Sequence, residues 1–179
     1  APHFVGLDWA GVRLAEFKVL ASVYSRQKNT LLDRMLLQGR SRFNRSLLFS
    51  RQAGLRGVVK ALRRNIPFYY LPDLDFGRRN AVFVPFFGVS AATVTGLSRL
   101  ARLADAVVLP VIARQLAYGG GYEVKIYPAF DNFPTEDITA DSRRMNQFIE
   151  ERIAEMPEQY LWTHKRFKTR PPGEPRVYD

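Results

Sequence analysis

The chain has two histidines, His3 and His164, so side chains able to exchange a proton near neutral pH are few. His3 stands in Ala1-Pro2-His3-Phe4-Val5-Gly6-Leu7-Asp8, with a carboxylate five residues on and an amphipathic run just beyond. If His3 ends an extended segment and Asp8 opens a helix, the turn between them folds the carboxylate back onto the imidazole. Asp8 then fixes the tautomer and stabilises the imidazolium, leaving the other ring nitrogen to take a proton from a hydroxyl. Such a dyad has no nucleophile of its own. It suits direct transfer of an acyl group to an alcohol, with the substrate hydroxyl as attacker. The plainer reading of the same residues is a His on a frayed strand and an Asp8 that caps a helix.

Three further stretches carry chemistry. Gly39-Arg40-Ser41-Arg42-Phe43-Asn44-Arg45, followed by Arg51 and Arg56, offers paired guanidinium donors with interleaved Ser and Asn, suited to phosphate or carboxylate, or else a solvated basic surface. Leu71-Pro72-Asp73-Leu74-Asp75-Phe76-Gly77-Arg78-Arg79 follows the apolar run PFYYL, so its carboxylates sit at a strand's carboxyl end, where α/β proteins bind ligands. Asp73 and Asp75 are open to three uses: a Mg²⁺ site, a partner for an Arg of the preceding element, or an Asx turn. Val82-Phe83-Val84-Pro85-Phe86-Phe87-Gly88-Val89 reads as core, with Phe83 and Phe86 also suited to walling an acyl channel. His164 lies in Trp162-Thr163-His164-Lys165-Arg166-Phe167-Lys168-Thr169-Arg170, and reads as structural or membrane-facing because its neighbours are cations and no acid is near.

The elements that must position these groups follow from periodicity. Helices are predicted over 9–21, over 30–38 with Gly39 as the stop, over 54–64 as a basic amphipathic helix, over 91–102, and over 140–155 with Met145, Phe148, Ile149 and Ile153 inward. Strands are predicted over 67–71, 107–113 and 122–127. The alternation predicts an α/β domain, a layered sheet flanked by helices, over residues 1–170, with 171–179 as a loose tail. The uncharged stretch Asn80 to Ser98 contains Pro85, Gly88 and Gly96 and reads as strand, turn and helix instead of a membrane span.

Composition bounds the partners. The 179 residues are 46% hydrophobic, as a folded domain requires, and carry a net charge of +10. Residues 1–79 hold 15 Lys and Arg against 5 Asp and Glu, whereas the remaining 100 hold 12 of each, so the anionic partner is expected on the N-terminal part. The absence of cysteine excludes disulfides, thiolate zinc sites and a cysteine nucleophile. The first residues have the pattern of neither a signal peptide nor a membrane anchor, and the expectation is a soluble or peripheral chain that begins inside a longer protein.

Taken in order, His3-Phe4-Val5-Gly6-Leu7-Asp8, Tyr70-Leu71-Pro72-Asp73-Leu74-Asp75-Phe76-Gly77, Val82 to Gly88, Pro157-Glu158-Gln159-Tyr160-Leu161-Trp162 and His164 to Pro171 resemble the lipid A biosynthesis late acyltransferases, within the glycerolipid acyltransferase superfamily. The resemblance runs nearly the whole chain, and the ordered set is specific where the His-acid spacing alone is not. It implies a glycerolipid-acyltransferase-like fold and transfer of a fatty acyl chain from acyl carrier protein, as co-substrate, to a hydroxyl of an anionic lipid A precursor. The place implied is the cytoplasmic face of the inner membrane, with the anchoring helix upstream of the His motif and outside this chain. His3 maps onto the family's general base and Asp8 onto its orienting acid, one methylene shorter than the Glu common there. Arg40, Arg42 and Asn44, with Asp73, Asp75 and Arg78, map onto substrate-binding positions, and neither a metal nor a resident cofactor is implied. Two other classes fit parts of the sequence: a basic nucleic-acid-binding module satisfies the charge, and a Mg²⁺-dependent phosphotransferase the paired aspartates. A lysophospholipid acyltransferase of another specificity is the nearest alternative enzyme.

Overall fold

The computed structural model describes residues 1–43, 46–51 and 54–178. In chain order these form α1 (Leu7–Phe17), β1 (Ala21–Tyr24), α2 (Thr30–Ser41), β2 (Leu47–Ser50), α3 (Arg56–Leu62), β3 (Phe68–Tyr69), β4 (Ala81–Phe86), β5 (Val89–Val94), α4 (Gly96–Ala104), β6 (Val111–Gln115), β7 (Tyr122–Ile126) and α5 (Ile138–Glu155). The α/β expectation holds, with the strands divided among three small sheets. β1 lies between β2 and β3, parallel to both, while β4–β5 and β6–β7 are antiparallel hairpins. Parallel neighbours need a crossover, and α2 and α3 supply helices in the β1-to-β2 and β2-to-β3 connections.

Local sequence explains most element ends. Asn29 caps α2 by accepting from the amides of Leu31 and Leu32, and Asp137 caps α5 by accepting from Thr139 and Ala140. Gly39 does not stop α2, which runs on to Ser41, where the hydroxyl donates to the Leu37 carbonyl at 2.7 Å. The helix predicted over 9–21 ends at Phe17, and Ala21–Tyr24 joins the parallel sheet instead. The helix predicted from residue 91 begins at Gly96, because Ala91–Val94 pairs with β4 across a two-residue turn. Phe87 and Gly88 both take positive φ in that turn, 48° and 76°, the twist a tight hairpin needs. Val107 and Leu109, expected in a buried strand, are exposed in an irregular approach to Pro110, and β6 begins only at Val111.

The core gathers Phe4, Phe86, Ala91, Ile112, Met145, Ile149, Ile153, Met156 and Tyr160, so α5 packs its expected apolar stripe against the β4–β5 hairpin and the first residues of the chain. Gly6 marks the closest approach between the start of α1 and the β6–β7 hairpin: a Cβ there would lie 3.0 Å from Ala113 Cβ and 3.1 Å from the Tyr122 ring. Residues after 170 are not loose throughout. Arg170 pairs with Glu174, and the Tyr178 hydroxyl accepts from the Phe167 amide at 3.3 Å.

Candidate active site

His3 sits in the turn before α1, where the chain runs antiparallel to residues 159–161. Val5 N–H donates to the Gln159 carbonyl at 2.8 Å, Leu161 N–H donates to the His3 carbonyl at 2.9 Å, and Phe4 bridges Tyr160. The imidazole is only 7% exposed. Its Nδ1 lies 2.7 Å from Asp73 Oδ1, and its backbone N–H donates to Asp73 Oδ2 at 2.9 Å. Tyr160 completes the arrangement by donating its hydroxyl to Asp73 Oδ2 at 3.0 Å. One fully buried carboxylate thus accepts three hydrogen bonds from two distant parts of the chain.

The electrostatics fix the proton's place. Burial by itself pushes the Asp73 carboxyl up, but the His3 hydrogen bonds and charge, with the Tyr160 hydroxyl, hold it below the ordinary carboxylate value. Asp73 is therefore an ionised acceptor, Nδ1 of His3 must carry its proton, and Nε2 of the neutral ring carries the lone pair. Burial, followed by the Asp73 charge, raises Tyr160 far above the ordinary phenol, so its hydroxyl stays a donor. Burial also raises Tyr70, to about 12.

The carboxylate on the imidazole is thus Asp73, and the expected His3–Asp8 contact is corrected. Asp8 occupies the first turn of α1 with its side chain 74% exposed, and its Oδ1 faces Arg40 Nη2 at 3.4 Å. The physical reason is the pairing of residues 3–5 with 159–161 and the docking of α1 on β6, which commit the His3 ring to the turn after β3. Asp75 makes the expected local turn, Oδ1 accepting from Gly77 N–H at 2.9 Å, and ties it to the C-terminal segment, Oδ2 accepting from Thr169 N–H at 2.6 Å. Its role here is bracing. Each oxygen of both carboxylates already accepts from an N–H or O–H of the chain, the pattern of anions held by donors.

Of the other expected residues, Arg40 comes to the α1 end of the site through Asp8, and Arg42 is exposed at the end of α2 with its guanidinium 4.6 Å from the Phe43 ring centre. Arg78 donates to the Arg170 carbonyl at 3.2 Å. Asn44 and Arg45 lie outside the described residues. Arg51 stands 4.4 Å over the Phe76 ring, the one link between the basic stretch and the Asp73–Asp75 turn printed by the described geometry.

Tyr160, His164 and Arg166 are the residues that local reading misses. His164 packs edge-on against His3, ring centres 4.5 Å apart at 79°. Arg166, read as part of a solvated cationic run, is 1% exposed and donates to the Ala92 carbonyl and Thr93 hydroxyl, both at 2.7 Å, with Phe86 beneath it at 5.0 Å. Burial pulls its pKa down. The available signal was position in the Tyr160-to-Arg166 stretch, which local periodicity cannot connect to His3.

Beside the dyad lies an apolar cleft of about 140 Å³ lined by Tyr70, Leu97, Leu109, Phe130, Met145 and Phe148 among others. Pro2 and Pro72, which immediately precede His3 and Asp73, also line it, so the cleft reaches the dyad's own backbone. The wall is not the expected one: Phe86 is fully buried in the core, and neither it nor Phe83 faces this cleft.

A buried imidazole held in one tautomer by an ionised carboxylate, at the end of an apolar cleft, is a candidate general-base site for chemistry on a substrate with an apolar chain. Residues 1–169 match the family described as bacterial lipid A biosynthesis acyltransferase, and the chain belongs to it. The chain is 38% identical to the lipid A biosynthesis lauroyltransferase of Escherichia coli (strain K12) over 177 residues, 98% of this chain and 57% of the relative. It is 37% identical to that organism's lipid A biosynthesis palmitoleoyltransferase over the same extent, and 30% identical to its myristoyltransferase over 178 residues, 99% of this chain and 55% of the relative. The chain therefore spans little more than half the length of these relatives. Among the described residues no helix is long and apolar enough to cross a membrane.

Proposed function

We propose that this protein is an acyltransferase of lipid A biosynthesis, moving a fatty acyl chain from acyl carrier protein to a hydroxyl of an anionic lipid A precursor at the cytoplasmic face of the inner membrane. The observation that carries this reading is the His3–Asp73 pair beside the apolar cleft, in a chain whose relatives are named lipid A acyltransferases. His3 Nε2 takes the proton of the acceptor hydroxyl as its oxygen attacks the thioester carbonyl carbon. The C–O bond forms, the C–S bond breaks, and the proton on His3 leaves with the thiolate. Asp73 stabilises the imidazolium between those two transfers.

The developing oxyanion requires donors, and this reading assigns the Arg40 guanidinium and the backbone amides near Gly6. Asp8 holds Arg40 at the start of α1, and the pair marks the side on which the precursor's anionic headgroup approaches. Arg42, Asn44 and Arg78 add cation and amide donors for that headgroup, and Asp75 fixes the loop that carries Asp73. The excess of Lys and Arg in residues 1–79 attracts both the lipid phosphates and an acidic carrier protein. The acyl chain lies in the cleft lined by Tyr70 and Phe148. The test is His3→Ala in the full-length protein, with products read by mass spectrometry of lipid A. Loss of the acylated product with an unchanged unfolding midpoint is expected, and undiminished acylation would overturn the assignment.

A further inference from the structure

We propose that His164 is a positioning residue for His3, a second imidazole that walls the base so that Nε2 keeps one direction. The inference rests on the reading of His3 as the base. A hydrogen bond from Nδ1 to Asp73 fixes one point of the ring and leaves it free to pivot about that bond, because the terminal torsion of a histidine is broad. The edge-on contact of His164, 4.5 Å between ring centres, removes that freedom.

The wall is itself anchored on both sides. Leu161 N–H is bonded to the His3 carbonyl, His164 N–H to the Leu161 carbonyl at 3.1 Å, and Arg166 N–H to the His164 carbonyl at 2.7 Å. Arg166 then locks this segment to β5 through Ala92 and Thr93. His164 Nδ1 is buried and has no hydrogen-bond partner among the described residues. An apolar side chain of the same shape would avoid that desolvation cost, so the imidazole at this position has a use. Burial first, and then the His3 charge, lower the His164 pKa against an opposing pull from Asp73. His164 therefore stays neutral when His3 takes up the substrate proton, and a neutral aromatic ring beside the imidazolium is attractive where a second cation would repel.

The experiment uses the full-length protein, with His164→Ala and His164→Phe compared with the parent in steady-state acyl transfer and in NMR of the downfield His3 Nδ1–H proton. Expected for His164→Ala is a kcat lower by about 100-fold with KM little changed, the scale of a displaced catalytic group, and a broadened or lost Nδ1–H signal. His164→Phe restores the wall and returns both readouts toward the parent. An unchanged kcat and signal in His164→Ala overturns the proposal. A His164→Phe variant as slow as His164→Ala with the Nδ1–H signal intact also overturns it, in favour of proton transfer through His164. Should His164→Ala lower the unfolding midpoint to the assay temperature, the His164→Phe comparison alone decides. If the parent transfers no acyl group yet the Nδ1–H signal depends on His164 as expected, the acyltransferase reading fails and the positioning role stands.

Discussion

Replacing Asp73 by Asn tests the site most sharply, because shape is kept and hydrogen-bond polarity is not. The Asp73 carboxylate meets three donors: His3 Nδ1–H, His3 N–H and Tyr160 O–H. An amide has one acceptor oxygen. Placed toward His3 N–H and Tyr160 O–H, that oxygen satisfies two donors and turns the NH₂ toward His3 Nδ1. The ring then accepts at Nδ1 and carries its proton on Nε2, the nitrogen that must receive the substrate proton. A base with its tautomer reversed in this way loses about 10⁴-fold in kcat, or ~5 kcal/mol of transition-state stabilisation. Asp8→Asn, by contrast, changes only the exposed contact with Arg40 and leaves the His3 tautomer as it is. Single-turnover acyl transfer by the two variants in the full-length protein decides between the carboxylates. Full activity in Asp73→Asn together with a loss near 10⁴-fold in Asp8→Asn would refute the reasoning. The same variant has a pH signature in stability. The native Asp73 value lies below its unfolded one, so its contribution is complete above the unfolded carboxylate value and is lost as pH falls through the native one. Asp73→Asn, less stable near neutral pH, should therefore lack that part of the acid-side decline in urea unfolding.

Two further outcomes follow from the same contacts. Tyr160→Phe removes one charge-assisted hydrogen bond from Asp73 and is expected to lower stability by about 1.5–3 kcal/mol, with a smaller loss of kcat than Asp73→Asn because the His3 tautomer survives; urea unfolding and single-turnover rates check the two parts. Arg166→Met leaves the Ala92 carbonyl, Thr93 hydroxyl and Asn146 side chain without their buried cationic donor, at a cost of about 2–4 kcal/mol read from the thermal unfolding of the full-length protein.

The sequence made the base legible, and it also singled out the stretch that supplies the orienting carboxylate. His3 is one of two candidates by count, and Asp73 follows an apolar strand, where ligand-binding acids tend to stand. What it did not reveal was which acid meets the ring, since spacing favoured Asp8 and the pairing of residues 3–5 with 159–161 is nonlocal. The same limit applies to helices and strands. α5 was legible because an inward stripe of Met145, Ile149 and Ile153 repeats at helical spacing over four turns or more. β5 was not, because Ala91, Ala92, Thr93 and Val94 are short enough to suit either period, and only the Phe87-Gly88 turn, with an aromatic residue in the left-handed region, commits them to a hairpin. His164 and Arg166 were misread for a related reason. In a run of alternating cations and aromatics, burial of every second residue looks like a solvated surface until the facing element is known.

Asp73 joins catalysis to folding in a way that separates it from Asp8. A carboxylate with no exposure is costly to bury unless its charge is met, and here the compensating donors come from the start of the chain and from the Tyr160 segment. The native fold must therefore bring those segments together to accommodate Asp73, and bringing them together is also what sets His3 Nδ1 against Asp73 Oδ1. Asp8 carries no such obligation, because water and Arg40 satisfy it at the surface. A His-acid spacing conserved only for folding would have no need of an exposed acid, and an acid needed only for orientation would have no need of three donors. The geometry thus divides the two carboxylates by task, Asp73 orienting the base and Asp8 steering the guanidinium that meets the incoming anion.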